Sequence, residues 1–143
     1  MFLPDSLIID ANVAFSFFNQ HSVRRTIIKK LLDRGVILIA PYFIFEEIYK
    51  NREKIKKFSR ISDGAFSVNF SLLNEFIKSY TDESYTKYIL EALSLAPHSK
   101  DVSYFALSLS LNNCPIWSDE KSFLKQTKVK VFSTKDLLKE FSM

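Results

Sequence analysis

Residues 7–12 read Leu-Ile-Ile-Asp-Ala-Asn, a short apolar run that ends in an acid. This pattern is typical of a strand that is buried in a sheet and carries a polar residue at its carboxyl end. Apolar residues then recur at helical spacing between Val23 and Leu32, and Gly35 is well placed to end that helix. A second apolar run extends from Val36 to Ala40. The first forty residues therefore predict a strand, a helix and a strand, which form a βαβ unit.

The middle of the chain carries helical patterns only. Pro41 suits the first turn of a helix, and the apolar spacing after it predicts a helix over about residues 42–58. Helical periodicity continues from Phe66 to Tyr80 and from Glu83 to Leu95, with breaks between these segments. We therefore expect this part of the chain to be entirely helical.

Strands return in the last third of the chain. A helix is predicted after Asp101, followed by short strands at Cys114–Trp117 and Val129–Phe132 and by a closing helix at Asp136–Phe141. Strands that alternate with helices predict a parallel sheet covered on both faces, because a parallel crossover needs a connection of helix length. The expected fold is α/β, in three α/β/α layers around a central parallel sheet of four or five strands, as one domain over residues 1–143.

Composition limits the classes of function. A chain of 143 residues with 47% apolar residues, 14 of them Phe, can fill the core of one domain. The longest apolar stretch is shorter than the ~20 residues of a membrane helix, and the N-terminus lacks the features of a secretory signal. We therefore expect a cytoplasmic protein without a membrane span. The single cysteine excludes an intramolecular disulfide and a Cys-based zinc site, and two glycines exclude a Gly-rich phosphate loop.

Acidic residues stand where the predicted strands end, or lead the helix into the next strand. They are Asp10, Glu46, Glu47, Asp101, Asp119 and Glu120. Because parallel α/β sheets bind ligands at the carboxyl ends of their strands, we expect several of these carboxylates to share one cleft. Divalent cations relieve the repulsion within such a cluster, and Mg²⁺ or Mn²⁺ prefers oxygen ligands. The pattern predicts a Mg²⁺ or Mn²⁺ site suited to phosphodiester hydrolysis.

Each acid also has a purely structural interpretation. Asp10 and Asp101 could each cap the helix that follows. One member of the pair Glu46 and Glu47 could be a solvated residue whose charge suits the start of a helix. One of residues 119–120 could belong to a surface turn. The order of the acids along the chain is what favours a shared site.

Four segments resemble, in order, the motifs of PIN domains. They read LIIDAN at 7–12, PYFIFEEI at 41–48, DVSYFAL at 101–107 and PIWSDEKSF at 115–123. The resemblance spans nearly the whole chain, and it implies an endoribonuclease that requires Mg²⁺ or Mn²⁺. Many proteins that look like this are toxins of the VapC type. An RNA substrate, a small antitoxin partner and a homodimer are thus what the resemblance implies.

Three acids match the PIN pattern position by position. Asp10 matches the first acid of the pattern, and Asn12 matches the small polar residue that supports it. The second acid of the pattern precedes an aliphatic residue, which implies Glu47, with Glu46 as the alternative. Asp101 matches the third acid. The resemblance thus assigns metal ligation and catalysis to these three positions.

The fourth motif departs from the PIN pattern. It usually reads Thr or Ser, any residue, then Asp, which aligns Ser118 as a supporting residue but places Glu120 rather than Asp119 at the acid position. Either Glu120 reaches the metal with its longer side chain, or Asp119 takes over as ligand. This departure keeps a second hypothesis open, in which the chain is a weakly active or inactive PIN-like module that binds RNA or protein.

Basic residues are concentrated in the second half of the helix predicted over residues 42–58. Lys50, Arg52 and Lys54 are the three of these residues that follow Glu47 most closely in the sequence. Such a run is commonly a solvated helix face, although near a metal site it could also contact RNA phosphates. We treat these three residues as candidate RNA contacts.

Overall fold

The computed structural model describes residues 3–141, and within this range five parallel strands form one sheet in the order β3-β2-β1-β4-β5. The strands are β1 (Ser6–Ile9), β2 (Ile37–Pro41), β3 (Ile77–Tyr80), β4 (Ile116–Trp117) and β5 (Val131–Phe132). The helices are α1 (Ala11–Ser16), α2 (Val23–Asp33), α3 (Phe43–Lys50), α4 (Arg52–Ser59), α5 (Asp63–Phe76), α6 (Ile89–Leu95), α7 (Val102–Ser110) and α8 (Thr134–Glu140). None of these helices is long and apolar enough to cross a membrane.

Alternate residues of the central strand β1 are buried on opposite faces of the sheet. Leu7 and Ile9 belong to a core that is closed by α1 to α5 and α8, whereas Ile8 belongs to a core closed by α6 and α7. This alternation follows from the two-residue period of a strand. The predicted three-layer α/β/α fold with a parallel sheet of four or five strands is confirmed.

The prediction that the middle of the chain is entirely helical is wrong. Helix α5 ends at Phe76, and β3 pairs in parallel with β2, from Leu38 opposite Ile77 to Pro41 opposite Tyr80. Without this partner, the N–H and C=O groups on that edge of β2 would lie buried and unpaired. Sheet pairing therefore overrides the helical spacing of the apolar residues in β3.

The helix predicted over residues 42–58 is divided in two at Asn51. The Asn51 side-chain amide donates to the carbonyl oxygen of Glu47 at 2.7 Å, and the Asn51 backbone departs from helical geometry. Side-chain bonding of this kind competes with the helix ladder. The segment predicted as a helix over Glu83–Leu95 is helical only from Ile89, after two short 3-10 turns.

The elements that surround the acids differ from their predicted bounds by a few residues. The two C-terminal strands begin later than predicted, and α8 begins at Thr134, before Asp136. Ser133 and Asp136 form a reciprocal capping box that fixes this helix start. Helix α1, which the sequence pattern did not predict, begins directly after Asp10.

Candidate active site

Four of the predicted acids line one cleft at the carboxyl ends of the strands. The cleft has a volume of about 460 Å³, and its acids are Asp10, Glu47, Asp101 and Glu120. Asp10 follows β1, Glu47 lies on α3 after β2, and Glu120 follows β4. Asp101 stands at the start of α7. The parallel topology thus brings together residues that are up to 110 positions apart in the sequence.

Asp10 is the most enclosed of these acids, with 6% of its surface exposed. Its carboxylate accepts a hydrogen bond from the backbone N–H of Val13 at 2.9 Å, which caps α1. Burial raises the pKa of Asp10 above its ordinary value, while hydrogen bonds from Ser118 and Val13 and the charge of Arg24 oppose this rise. The structural role weighed for Asp10, helix capping, therefore coexists with its place in the cleft.

Asn12 and Ser118 hold Glu120 at the wall of the cleft. The side-chain amide of Asn12 donates to Oε1 of Glu120 at 3.2 Å. The hydroxyl of Ser118 accepts the backbone N–H of Glu120 at 3.1 Å, and the same side chain lowers the pKa of Asp10 against the effect of burial. Both residues predicted to support the acids therefore contact them directly.

Asp119 faces away from the cleft. Its carboxylate accepts from the guanidinium of Arg24 at 2.6 Å and from the backbone N–H of Thr134 at 2.7 Å. Burial works against ionisation of Asp119, but the hydrogen bonds from Thr134 and Arg24 outweigh it and lower the pKa of this carboxyl. Of the two alternatives for the fourth acid, the structure places Glu120 in the cleft and Asp119 in a structural network around the start of α8.

Glu46 and Glu47 also have different environments, because they lie on different faces of α3. Glu47 is half-buried and lines the cleft one turn beyond Phe43, which also lines it. Glu46 is exposed in the first turn of the helix, where a negative charge suits the helix dipole. The structure thus places Glu47 among the acids and leaves Glu46 in solvent.

Asp101 is 8% exposed and closes the cleft from the side of α7. Burial raises the pKa of Asp101, and the charge of Glu120 adds to this rise against the nearby Lys100 and His98. The side chain makes no capping hydrogen bond to the helix that follows. A capping hydrogen bond therefore does not account for its position at the cleft.

Tyr104 is a cleft residue to which the sequence reasoning assigned no role. Its hydroxyl is buried and has no hydrogen-bond partner among the described residues. Burial raises the pKa of Tyr104, and three cleft carboxylates add to the rise; they are Asp10, Glu47 and Asp101. Its spacing offers the only signal in the sequence, since it stands one helical turn after Asp101.

The three candidate RNA contacts occupy different surroundings. Lys54 lines a groove that adjoins the acidic cleft. Arg52 stacks over the Tyr49 ring with its guanidinium carbon 4.2 Å from the ring centroid, and it lines a separate groove. Lys50 is exposed at the end of α3. Contact of these residues with RNA stays a prediction.

The donor chemistry of the cleft fits a hard divalent cation. Its ionisable ligands are carboxylates, and Mg²⁺ and Mn²⁺ prefer oxygen donors. A cation would favour the ionised forms of Asp10 and Asp101, which burial disfavours. Across residues 3–141, however, no three His, Cys, Asp or Glu side chains gather closely enough to hold a metal ion. The carboxylates would therefore have to draw closer together around a bound ion.

Comparison with known proteins assigns the family. A profile described as the PIN domain matches residues 8–141. The chain therefore belongs to the PIN domain family, which confirms the resemblance seen in the four sequence motifs. No curated protein matches the chain.

A solved structure shares the fold. The chain is similar to one in the crystal structure of VapBC2 from Rickettsia felis bound to a DNA fragment from their promoter. The TM-score is 0.64 with 11% sequence identity, and the match covers 90% of this chain and 98% of that one. At this identity the likeness shows the shared fold.

Proposed function

We propose that this chain is an endoribonuclease that depends on Mg²⁺ or Mn²⁺ and hydrolyses RNA phosphodiester bonds. The observation that carries the proposal is the single cleft lined by Asp10, Glu47, Asp101 and Glu120. Membership of the PIN domain family supports the same class of reaction. We assign metal ligation to these four carboxylates, and a supporting role to Asn12 and Ser118.

In this proposal the carboxylates of the cleft bind the ion, and neighbouring residues position these carboxylates. A divalent ion, when bound, supplies a water of lowered pKa and stabilises the charge that develops on the attacked phosphate. The backbone N–H of Val13 donates to the Asp10 carboxylate, which orients this ligand toward the cleft-forming segment. Glu120 is held by Asn12 and by Ser118. Hydrogen-bond partners of this kind orient metal ligands and are expected to contribute to metal affinity.

We further propose that the substrate is RNA reached from the basic side of the cleft. Lys54 lies in the adjoining groove, and Lys50 is exposed on the neighbouring helix end. The net charge of +4 is compatible with a polyanionic substrate. Arg52, which is engaged with Tyr49, would contribute only after leaving that ring.

A partner and a location also follow as proposals. The structure of VapBC2 from Rickettsia felis, which shares this fold, supports a toxin of a toxin–antitoxin pair with a small antitoxin as partner. We also propose a homodimer acting in the cytoplasm. Residues from both ends of the described chain, Val13 and Leu137, pack in one core, which supports a single domain.

The direct experiment is cleavage of a mixed single-stranded RNA by the purified protein in Mg²⁺, in Mn²⁺ and in EDTA. The matched control is the Asp10→Asn variant, which keeps a capping side chain for α1. We expect cutting that requires a divalent ion and is absent in the variant. Full activity in EDTA, or in the variant, would refute the proposal.

A second function is favoured by the lack of three closely gathered metal ligands among residues 3–141. In this alternative the chain is a PIN-like module that binds RNA or protein and turns over slowly or not at all. Calorimetry with MnCl₂ separates the two functions. Absence of Mn²⁺ binding, together with RNA binding that EDTA leaves unchanged and no cleavage, would establish the module.

A further inference from the structure

A second groove continues from the acidic cleft and is called here the basic groove. It has a volume of about 560 Å³, and Lys54 and Phe58 of α4 line it opposite Arg24 of α2. Asn12 and Phe15 line both this groove and the acidic cleft. A chain molecule bound in the cleft can therefore pass directly into the basic groove.

The charge of the basic groove is opposite to that of the cleft. None of the residues found to line it is acidic, and its two cations are Arg24 and Lys54. Arg24 is already paired with Asp119 at 2.6 Å. Lys54 makes no ion pair with any residue in the part of the chain that the structure describes. Its ammonium group is thus available to a ligand, and a phosphate is the complementary one.

Phe58 gives the groove an aromatic surface beside this cation. It stands one helical turn after Lys54 on α4, so the two side chains share a face. Phe58 is 84% exposed, although Ile55 of the same helix is buried in the core. An exposed ring next to an unpaired cation is the combination with which proteins hold single-stranded nucleic acid.

We propose that the basic groove binds the nucleotides next to the scissile bond of a single-stranded RNA. Lys54 holds a backbone phosphate, and the ring of Phe58 stacks on a base. A single strand is required, because the faces of paired bases in a duplex are stacked and inaccessible to Phe58. The inference rests on the proposed function for the identity of the ligand as RNA and for the position of the scissile bond in the acidic cleft.

The test measures binding of a fluorescently labelled single-stranded 8-mer RNA in EDTA, so that no cleavage is needed. Binding is followed by anisotropy at several salt concentrations for the wild type, K54Q, F58A and the control K57Q. Lys57 is an exposed lysine of the same helix that does not line the groove. K57Q therefore makes the same change in net charge without touching the subsite.

Lys54 and Phe58 should give different signatures. For K54Q, the slope of log K against log salt should become shallower by about 0.7, as expected for one lost phosphate contact on a single strand. For F58A, affinity should fall by about fivefold or more with the slope unchanged. K57Q should match the wild type in both. Because Phe58 is exposed, we expect F58A to fold as the wild type does. Circular dichroism of the variant checks this.

The outcomes distinguish failure of the groove proposal from failure of the proposed nuclease function. If the wild type cuts RNA but K54Q and F58A bind the 8-mer as the wild type does, the groove proposal is wrong and the nuclease stands. If no cutting is seen while both variants lose affinity, binding of single-stranded RNA by the basic groove stands, and the proposed nuclease and its scissile bond do not. Equal losses in K57Q, no binding by the wild type, or equally tight binding of an 8-base-pair duplex would each overturn the proposal.

Discussion

The side-chain amide of Asn12 donates a hydrogen bond to Oε1 of Glu120 across 3.2 Å, joining α1 to the segment that follows β4. The preceding residue, Asp119, faces the other way and bonds Arg24 and Thr134. Two adjacent acids with the same formal charge therefore have different environments. Glu120 lies at the wall of the cleft, whereas Asp119 is bonded to the start of α8.

Substitution of Glu120 should affect RNA cleavage, whereas substitution of Asp119 should affect mainly the stability of the fold. We expect Glu120→Gln to lower the rate of metal-dependent RNA cleavage by about 100-fold or more, because a proposed ligand is lost and residues that only orient ligands already contribute about 10- to 100-fold. Asp119→Asn should stay within a few-fold of the wild type. Initial rates under matched Mg²⁺ concentrations measure both. The reverse ranking would mean that Asp119 turns into the cleft when the ion binds.

Asp119 should also make stability depend on pH. Hydrogen bonds from Thr134 and Arg24 outweigh burial and lower its pKa in the folded state, so ionised Asp119 stabilises the fold. This contribution is complete above the unfolded pKa of about 3.9 and is lost as pH falls through the folded value. Asp119→Asn should therefore unfold in less denaturant than the wild type at pH 7. A difference that does not shrink below about pH 4 would contradict this assignment.

The sequence predicted those parts of the fold whose signal is local. Residues 7–9 of β1 and 38–41 of β2 are buried, so these runs are continuously apolar and easily recognised. Strand β3 lies at the sheet edge, and its Lys78 is exposed while Ile77 is buried. A four-residue edge strand of this kind has no continuous apolar run. Its identity depends on pairing with β2, which no local pattern reveals.

The sequence predicts which segments meet at the candidate site, but not which of two neighbouring acids faces the cleft. Asp10 and Asp101 line one cleft, as expected from the rule that residues after parallel strands gather at the carboxyl edge of the sheet. The choice between Glu120 and Asp119 depended on Arg24 and Thr134, which are distant in sequence from both. Only the packing of α2 and α8 on the sheet decides it. The catalytic roles of these residues stay predictions.

The pair on α3 provides a second matched comparison. Glu47→Gln should reduce cleavage, because Glu47 lines the cleft, whereas Glu46→Gln should not, because Glu46 faces solvent. Both variants remove one negative charge from adjacent positions, so general electrostatic effects on RNA binding should be similar. A loss of about tenfold or more in the first variant alone is expected. Equal rates in the two variants would remove Glu47 from the site.

Asp10→Asn should abolish cleavage without loss of stability. Burial raises the folded pKa of Asp10, so its ionised form destabilises the metal-free fold once pH exceeds the unfolded pKa of about 3.9. Asn removes the charge and retains an oxygen that can accept from Val13. In EDTA at pH 7, the melting temperature of the variant should equal or exceed that of the wild type, and the gap should close in acid.

The same variant tests metal binding through stability. A ligand that binds only the folded state raises the melting temperature by mass action. MgCl₂ should therefore stabilise the wild type and leave Asp10→Asn nearly unchanged. Thermal unfolding at several MgCl₂ concentrations, with NaCl at equal ionic strength as control, measures the difference. Equal stabilisation of both proteins would show that the ion acts elsewhere.

Removing the hydroxyl of Tyr104 should have opposite effects on stability and on activity. The hydroxyl is buried without a partner among the described residues, and leaving such a group unpaired costs about 1–3 kcal/mol. Tyr104→Phe retains the edge-to-face contact with Phe43, whose ring centroid lies 5.6 Å away. The free energy of unfolding in EDTA should therefore rise by about 1 kcal/mol, at the low end of that cost.

Cleavage by Tyr104→Phe should fall, because Tyr104 lines the cleft and its hydroxyl, unpaired among the described residues, can donate to groups that enter with the ion and the substrate. Urea unfolding and initial cleavage rates measure the two effects on the same preparation. A loss of stability would show that the hydroxyl has a partner in the folded protein. Unchanged cleavage together with raised stability would show that the hydroxyl contributes nothing to the reaction, so both halves of the prediction must hold.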